Sequence, residues 1–215
     1  MSQPEPTPGA AALNPWSSIW LRPRRTVREL VSSNPEYGVT GLAMLAGVFH
    51  VLDRATGRSA GDRIPFLGVL LMAALLGPVL GLAKVYLGAA LLGWTGRWIG
   101  GSGTSRHLRT ALAWGGVPYA FSLPVWLPLL LVVGPEMFTT ETPRIDGGGI
   151  AAWTFFSLVF VQIVLGVWAF ILVLKGVGEI QGFSSWRALA NLALAGLVML
   201  VPILTIVAIA IALRP

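Results

Sequence analysis

Of the 215 residues, 55% are hydrophobic and 11% are charged, against about 25% charged in an ordinary soluble domain, so a globule with a polar coat is excluded. With a mean hydropathy of +0.75, the solvent of this chain is largely lipid. The net charge of +6 does not mark a nucleic-acid binder, because the arginines sit in short caps and loops between apolar stretches, and the absence of cysteine removes disulfides, thiol nucleophiles and cysteine-held metals together.

Residues 1–13 are rich in proline and alanine, with no positive charge and no apolar core; they read as a disordered tail rather than a signal peptide. The stretch that follows, residues 14–30, is NPWSSIWLRPRRTVREL. Asn14 before Pro15 is an N-cap followed by a proline at the first helical position. Trp16, Ile19 and Trp20 then fall at i, i+3 and i+4 and share one face. Beyond Arg22 and Pro23, the apolar residues Val27, Leu30 and Val31 repeat that spacing while Arg24, Arg25 and Arg28 point elsewhere. Tryptophan prefers the headgroup zone, and each arginine beside an anionic leaflet gains about 1 kcal/mol. Residues 14–33 therefore read as an interfacial amphipathic segment, serving either as a plain anchor or as a reader of lipid headgroups or a partner.

Five apolar stretches come next, at residues 35–52, 65–99, 105–133, 150–174 and 186–213, each near or above the roughly 18–20 residues that cross a bilayer. The expected fold is all-α: a polytopic bundle of five spans occupying residues 34–215. Asn34-Pro35 repeats the capping dipeptide and starts the first span, with Glu36 at the positive end of the helix dipole. Residues 65–99 as one helix reach about 52 Å and residues 105–133 about 43 Å, against a hydrocarbon core of about 30 Å. With GGSG at 100–103 between them, they predict an antiparallel hairpin whose tip leaves the membrane. Pro78 would kink its first arm, and Pro118, Pro124 and Pro128 the second. Splitting residues 65–99 into two short spans with a reversal near Gly81 is the alternative.

The hairpin register sets Tyr119 opposite Lys84 and Arg109 opposite Trp94, the latter a cation–π arrangement. Lys84, about 28 Å along its helix, reads as a lysine that snorkels to the headgroups. Gln162 sits midway through the fourth span and Asn191 early in the fifth. Both read as glue between helices, or else as lining a path with Lys84 and Tyr119. In the loop KGVGEIQGFSSWR, residues 175–187, Gly176 and Gly178 are expected to end the fourth helix and Ser184 or Ser185 to cap the fifth. Glu179 is expected to pair with Arg187.

With the N-terminus inside, the inner segments hold Arg22, Arg24, Arg25, Arg28, Arg97, Arg106, Arg109, Lys175 and Arg187, and the outer ones Arg54, Arg58, Arg63, Arg144 and Arg214. Nine against five predicts a cytoplasmic N-terminus and an outer C-terminus. Nothing in the sequence suggests an enzyme, a metal or a cofactor. No GxxxxGK[ST] loop is present, His50 and His107 lack HExxH spacing, and no two acidic residues share a span.

Three segments in order around five spans carry a resemblance: NPWSSIWLRPRRTVREL before the first, GRWIGGSGTSRHLRTALAWGGVPYAF across the hairpin tip, and EIQGFSSWRAL entering the fifth. Together the pattern resembles the Yip1-domain family, which implies a non-enzymatic multispan membrane protein. Eukaryotic relatives are linked to Golgi and endoplasmic-reticulum traffic and to prenylated Rab GTPases. Here the segment ahead of the first span is only 34 residues, and thirteen arginines against two lysines hint at a GC-rich prokaryotic genome, so that role is not carried over. The expectation is a scaffold or adaptor in a prokaryotic plasma membrane. It would offer a basic, Trp-rich cytoplasmic face to lipid, a protein partner or a second copy. That face comprises Trp16, Trp20, Arg22, Arg24, Arg25 and Arg28, the tip residues Arg97, Arg106 and Arg109, and Glu179 with Arg187. The competing expectation is a small transporter or channel using Lys84, Tyr119, Gln162 and Asn191.

Overall fold

The computed structural model describes residues 13–212; the tail at residues 1–12 and the terminal residues 213–215, with Arg214, lie outside the described residues. Every regular element among the described residues is helical. Two short helices open the fold, α1 (Pro15–Leu21) and α2 (Pro23–Ser33). Asn14 caps α1 as its sequence suggests, its Oδ1 accepting from the Trp16 amide at 3.0 Å.

The second Asn-Pro behaves differently. Residues 34–38 form a turn in which Asn34 Oδ1 accepts from the Glu36 amide at 3.2 Å, and α3 (Val39–Gly57) begins only after Gly38, whose φ of 70° is left-handed. Tertiary partners hold this turn open. Trp114 Nε1 donates to the Tyr37 carbonyl at 2.8 Å and Thr110 Oγ1 to the Pro35 carbonyl at 2.5 Å. Local capping alone would have started the helix four residues earlier.

After a 3₁₀ turn at Ala60–Asp62, α4 (Phe66–Trp98) runs 33 residues without interruption, with Pro78 inside it. Gly81 lies within this helix, so the two-span alternative is excluded. The chain reverses at residues 99–104, with Gly100 at φ 84°, and returns through α5 (Ser105–Gly115) and α6 (Val117–Val132). The break between these two falls at Gly116, two residues ahead of the first expected kink site, Pro118. A 3₁₀ turn at Gly134–Phe138 and the one-turn α7 (Pro143–Asp146) lead into α8 (Gly149–Gln181). Gly176 and Gly178 do not end α8; it continues to Gly182, which supplies the left-handed cap at φ 72°. The last helix is α9 (Ser185–Ala212), and Ser184 Oγ accepts from the Arg187 amide at its start.

Among the described residues, three segments are long and apolar enough to cross a membrane: Phe66–Trp98, Ser105–Val132 and Gly149–Gln181. On α8, Phe156, Phe160 and Ile163 are each about three-fifths exposed, a surface that water does not tolerate as a contiguous patch and lipid does.

Packing divides into two clusters. One gathers Ile19, Val27 and Leu30 of the opening helices with Leu108 and Trp114 of α5 and Leu172 and Val177 of α8. The other joins Phe49 and Leu52 of α3 to Val69 of α4, Trp126 and Leu129 of α6 and Phe138 beyond it. Between α3 and α4 the backbones nearly touch. A Cβ on Gly47 would strike the Gly77 carbonyl, and one on Gly81 the Ala43 carbonyl. Small residues spaced four apart on both helices permit that approach.

Candidate functional site

At one end of the bundle, segments far apart in sequence are tied together by Glu179, near the end of α8. Its carboxylate accepts from Arg28 Nε at 2.7 Å and lies 3.5 Å from Arg24 Nη1. Arg24 also donates to the Phe183 carbonyl at 3.2 Å. The hydrogen bond to Glu179, with its charge, raises the Arg28 pKa above its ordinary value, so Arg28 keeps its positive charge at any physiological pH. The expected Glu179–Arg187 pair does not form. Arg187 instead donates to the Ile99 carbonyl at 2.6 Å and lies over the Phe183 ring. Glu179 is therefore the clasp between α2 and α8. Glu179→Gln should loosen it with little loss of global stability, since Arg28 is exposed and Arg24 partly so. Faster tryptic cleavage after Arg24, Arg25 and Arg28 checks this; an unchanged digest would show that the clasp is dispensable.

The tryptophan face of α1 lies on protein. The Trp16 ring is 5.0 Å from that of Trp114, and Trp20 meets Phe121 edge-on at 5.5 Å. Ile19 between them is fully buried. Arg25 pairs within α2 with Glu29 at 3.0 Å, while Arg22 and Arg97 form no ion pair among the described residues.

The hairpin tip is held from inside by two buried amides. Gln181 is 2% exposed; its Oε1 accepts from the Gly103 amide at 2.9 Å and its Nε2 donates to the Leu92 carbonyl at 2.8 Å. Asn191 is 0% exposed; its Nδ2 donates to the same carbonyl at 3.2 Å and its Oδ1 accepts from Thr95 Oγ1 at 2.7 Å. Three chain segments thus share one polar knot, and each amide finds donors and acceptors without water. A Cβ at Gly96 or Gly101 would collide with the Gln181 amide, which is why this reversal is glycine-rich. Asn191 thereby links α9 to α4. Gln181 escaped the sequence reading because it lies in a stretch that looks like a loop.

Beside the tip, Glu36 collects Arg106 and Arg109, both at 3.3 Å. Arg109 also lies over the Tyr86 ring, 4.5 Å from its centroid. The expected partner, Trp94, lies elsewhere and stacks edge-on with Trp98 at 4.8 Å. A shift of about two helical turns accounts for the difference: Tyr86 is eight residues nearer the start of α4, and Glu36, retained in its turn, draws the guanidinium that way.

Lys84 turns toward α3. Its Nζ lies 2.8 Å from His50 Nε2 on α3, and the imidazole meets the Tyr119 ring at a tilt, with centroids 4.8 Å apart. Tyr119 thus stands near Lys84 as the register implies, with His50 between them. Gln162 is half-buried midway along α8. The four residues of the transporter reading therefore fall into three separate places. Among the described residues no group of three or more His, Cys, Asp or Glu is placed to hold a metal.

No curated protein and no solved structure matches the chain. A family model described as "Yip1 domain" matches residues 17–206, a range that takes in most of α1, all of α2 and both amides of the knot. This chain belongs to the Yip1 domain family and is a membrane protein of the Yip1 type.

Proposed function

We propose that the protein is a non-enzymatic scaffold or adaptor that crosses a plasma membrane five times, by α3, α4, the α5–α6 arm, α8 and α9, with its N-terminus in the cytoplasm and its C-terminus outside. Residues 14–33 form the segment ahead of the membrane domain and are docked on it. The observation that carries this reading is the convergence of α1–α2, the hairpin tip and the α8–α9 turn on one end of the bundle. Such a rigid platform suits docking better than passage. Much of its charge is spent internally, through Glu36, Glu179 and Glu29. What remains for a partner is narrower than the whole basic face: Arg22 and Arg97, with the exposed Leu21, Trp94 and Trp98. Membrane lipid, a protein partner or a second copy would meet these residues.

The missing cysteines make the test direct. Single cysteines at Ser18, Ser59, Ser102, Thr140 and Ser184 are expected to label from the cytoplasmic side at 18, 102 and 184, and from the outside at 59 and 140. Outside labelling of residue 102 would sink the orientation. Reconstituted protein that moves ions or solutes, with loss of flux on Gln162→Leu, would replace the scaffold with a transporter.

A further inference from the structure

The polar group at Lys84 is not isolated. It closes one end of a groove of about 890 Å³ between α3 and α4, which extends to the turn at Arg58 and Ala60. His50 and Arg54 lie at i and i+4 on one face of α3, about 6 Å apart along its axis, and Arg58, the residue that caps the helix end, continues the cationic line into the turn. Opposite them the wall is apolar, made by Met72, Leu76 and Leu80 of α4. Leu76 and Leu80 are each about half exposed, so no protein covers that wall. Three fixed cations (Arg54, Arg58 and Lys84) face a single carboxylate, Asp53, among the groove residues.

An ammonium that meets one imidazole on the exposed side of an apolar helix pair leaves donors facing lipid at a cost that a further acceptor removes. A ladder of cations along one wall and hydrocarbon along the other is complementary to an amphiphile carrying negative charge at one end. We propose that this groove binds an anionic phospholipid. Its phosphate sits at Arg54 and Arg58, its ester carbonyls accept from Lys84 and His50 below, and an acyl chain lies along Leu76 and Leu80. A free phosphate would use the arginines and leave the apolar wall unexplained. The assignment is independent of the scaffold reading; only the leaflet, the outer one, follows from the proposed orientation.

The test uses the full chain in phosphatidylcholine vesicles doped with phosphatidylglycerol that carries a photoactivatable acyl chain, and in parallel with the phosphatidylcholine analogue of the same probe. Phosphatidylglycerol should crosslink preferentially to residues 72–80. Arg54→Gln with Arg58→Gln should lower that yield at least about tenfold. Both arginines are exposed, so the variant keeps its fold, as a monodisperse elution will show. Leu80→Trp, on the lipid side, should lower the yield with the cations intact. Equal labelling by the two probes, or labelling unaltered in the double variant, overturns the proposal. Full competition by millimolar inorganic phosphate would reduce the groove to a phosphate site and overturn the lipid as well.

Discussion

Gly81→Val is expected to cost about 3 kcal/mol or more, because the new side chain must push backbone away from backbone. The Cβ alone would meet the Ala43 carbonyl and Gly47 Cα, neither of which can turn aside as a flexible side chain would, and overpacking of this kind costs roughly 1–3 kcal/mol even in softer places. In a chain of this length that corresponds to a fall in melting temperature of roughly 10 °C, which the intrinsic fluorescence of the nine tryptophans can report. Gly166→Val is the matched control. It sits in α8 with nothing within 4 Å of its would-be Cβ, and it should leave the melt nearly unchanged. Equal melting of the two variants would mean that α3 and α4 do not approach as described. The result bears on the lipid groove too, since that groove has its walls on these two helices.

A comparable loss is expected from Gln181→Leu. The substitution leaves the Gly103 amide without an acceptor and takes one of two side-chain amides from the Leu92 carbonyl. A buried orphaned donor costs about 1–3 kcal/mol, and leucine cannot copy the planar amide that Gly96 and Gly101 close around. The hairpin tip should then open, seen as faster tryptic cleavage after Arg97 and Arg106 and a lower melting temperature. Gln162→Leu replaces the same residue type by the same residue midway along α8 and should change stability by less than about 0.5 kcal/mol. If the two variants behave alike, the knot contributes nothing and the tip is held by Arg187 and the helix ends alone.

The pair of glutamines shows where the sequence stops being informative. Gln162 draws the eye because its neighbours are apolar, while Gln181 stands among glycines, a glutamate and serines. Sequence context measures the polarity of chain neighbours, and burial depends on which distant segments fold over a residue. The same limit explains two pairings that came out differently and one contact, Lys84 with His50, that the sequence did not suggest. Glu179 binds Arg24 and Arg28, more than 150 residues away, instead of Arg187. Arg109 goes to Tyr86 and Glu36, and Lys84 to His50, because their partners sit on helices whose register no local rule sets.

Other features followed from local rules alone. An Asn-Pro cap started α1, a 33-residue apolar run with one proline gave one continuous helix, and GGSG gave a reversal. Each is a matter of nearest-neighbour backbone chemistry or of hydrocarbon length, which the chain carries in its order. The all-helical class, the membrane as solvent and the family are legible for the same reason, since hydropathy over about 20 residues integrates local information. The close contact of α3 with α4, the docking of α1 and α2, the two buried amides and the cationic groove were decided only in three dimensions. Each depends on contacts between segments distant in the chain, whose free energies arise only once the helices have packed.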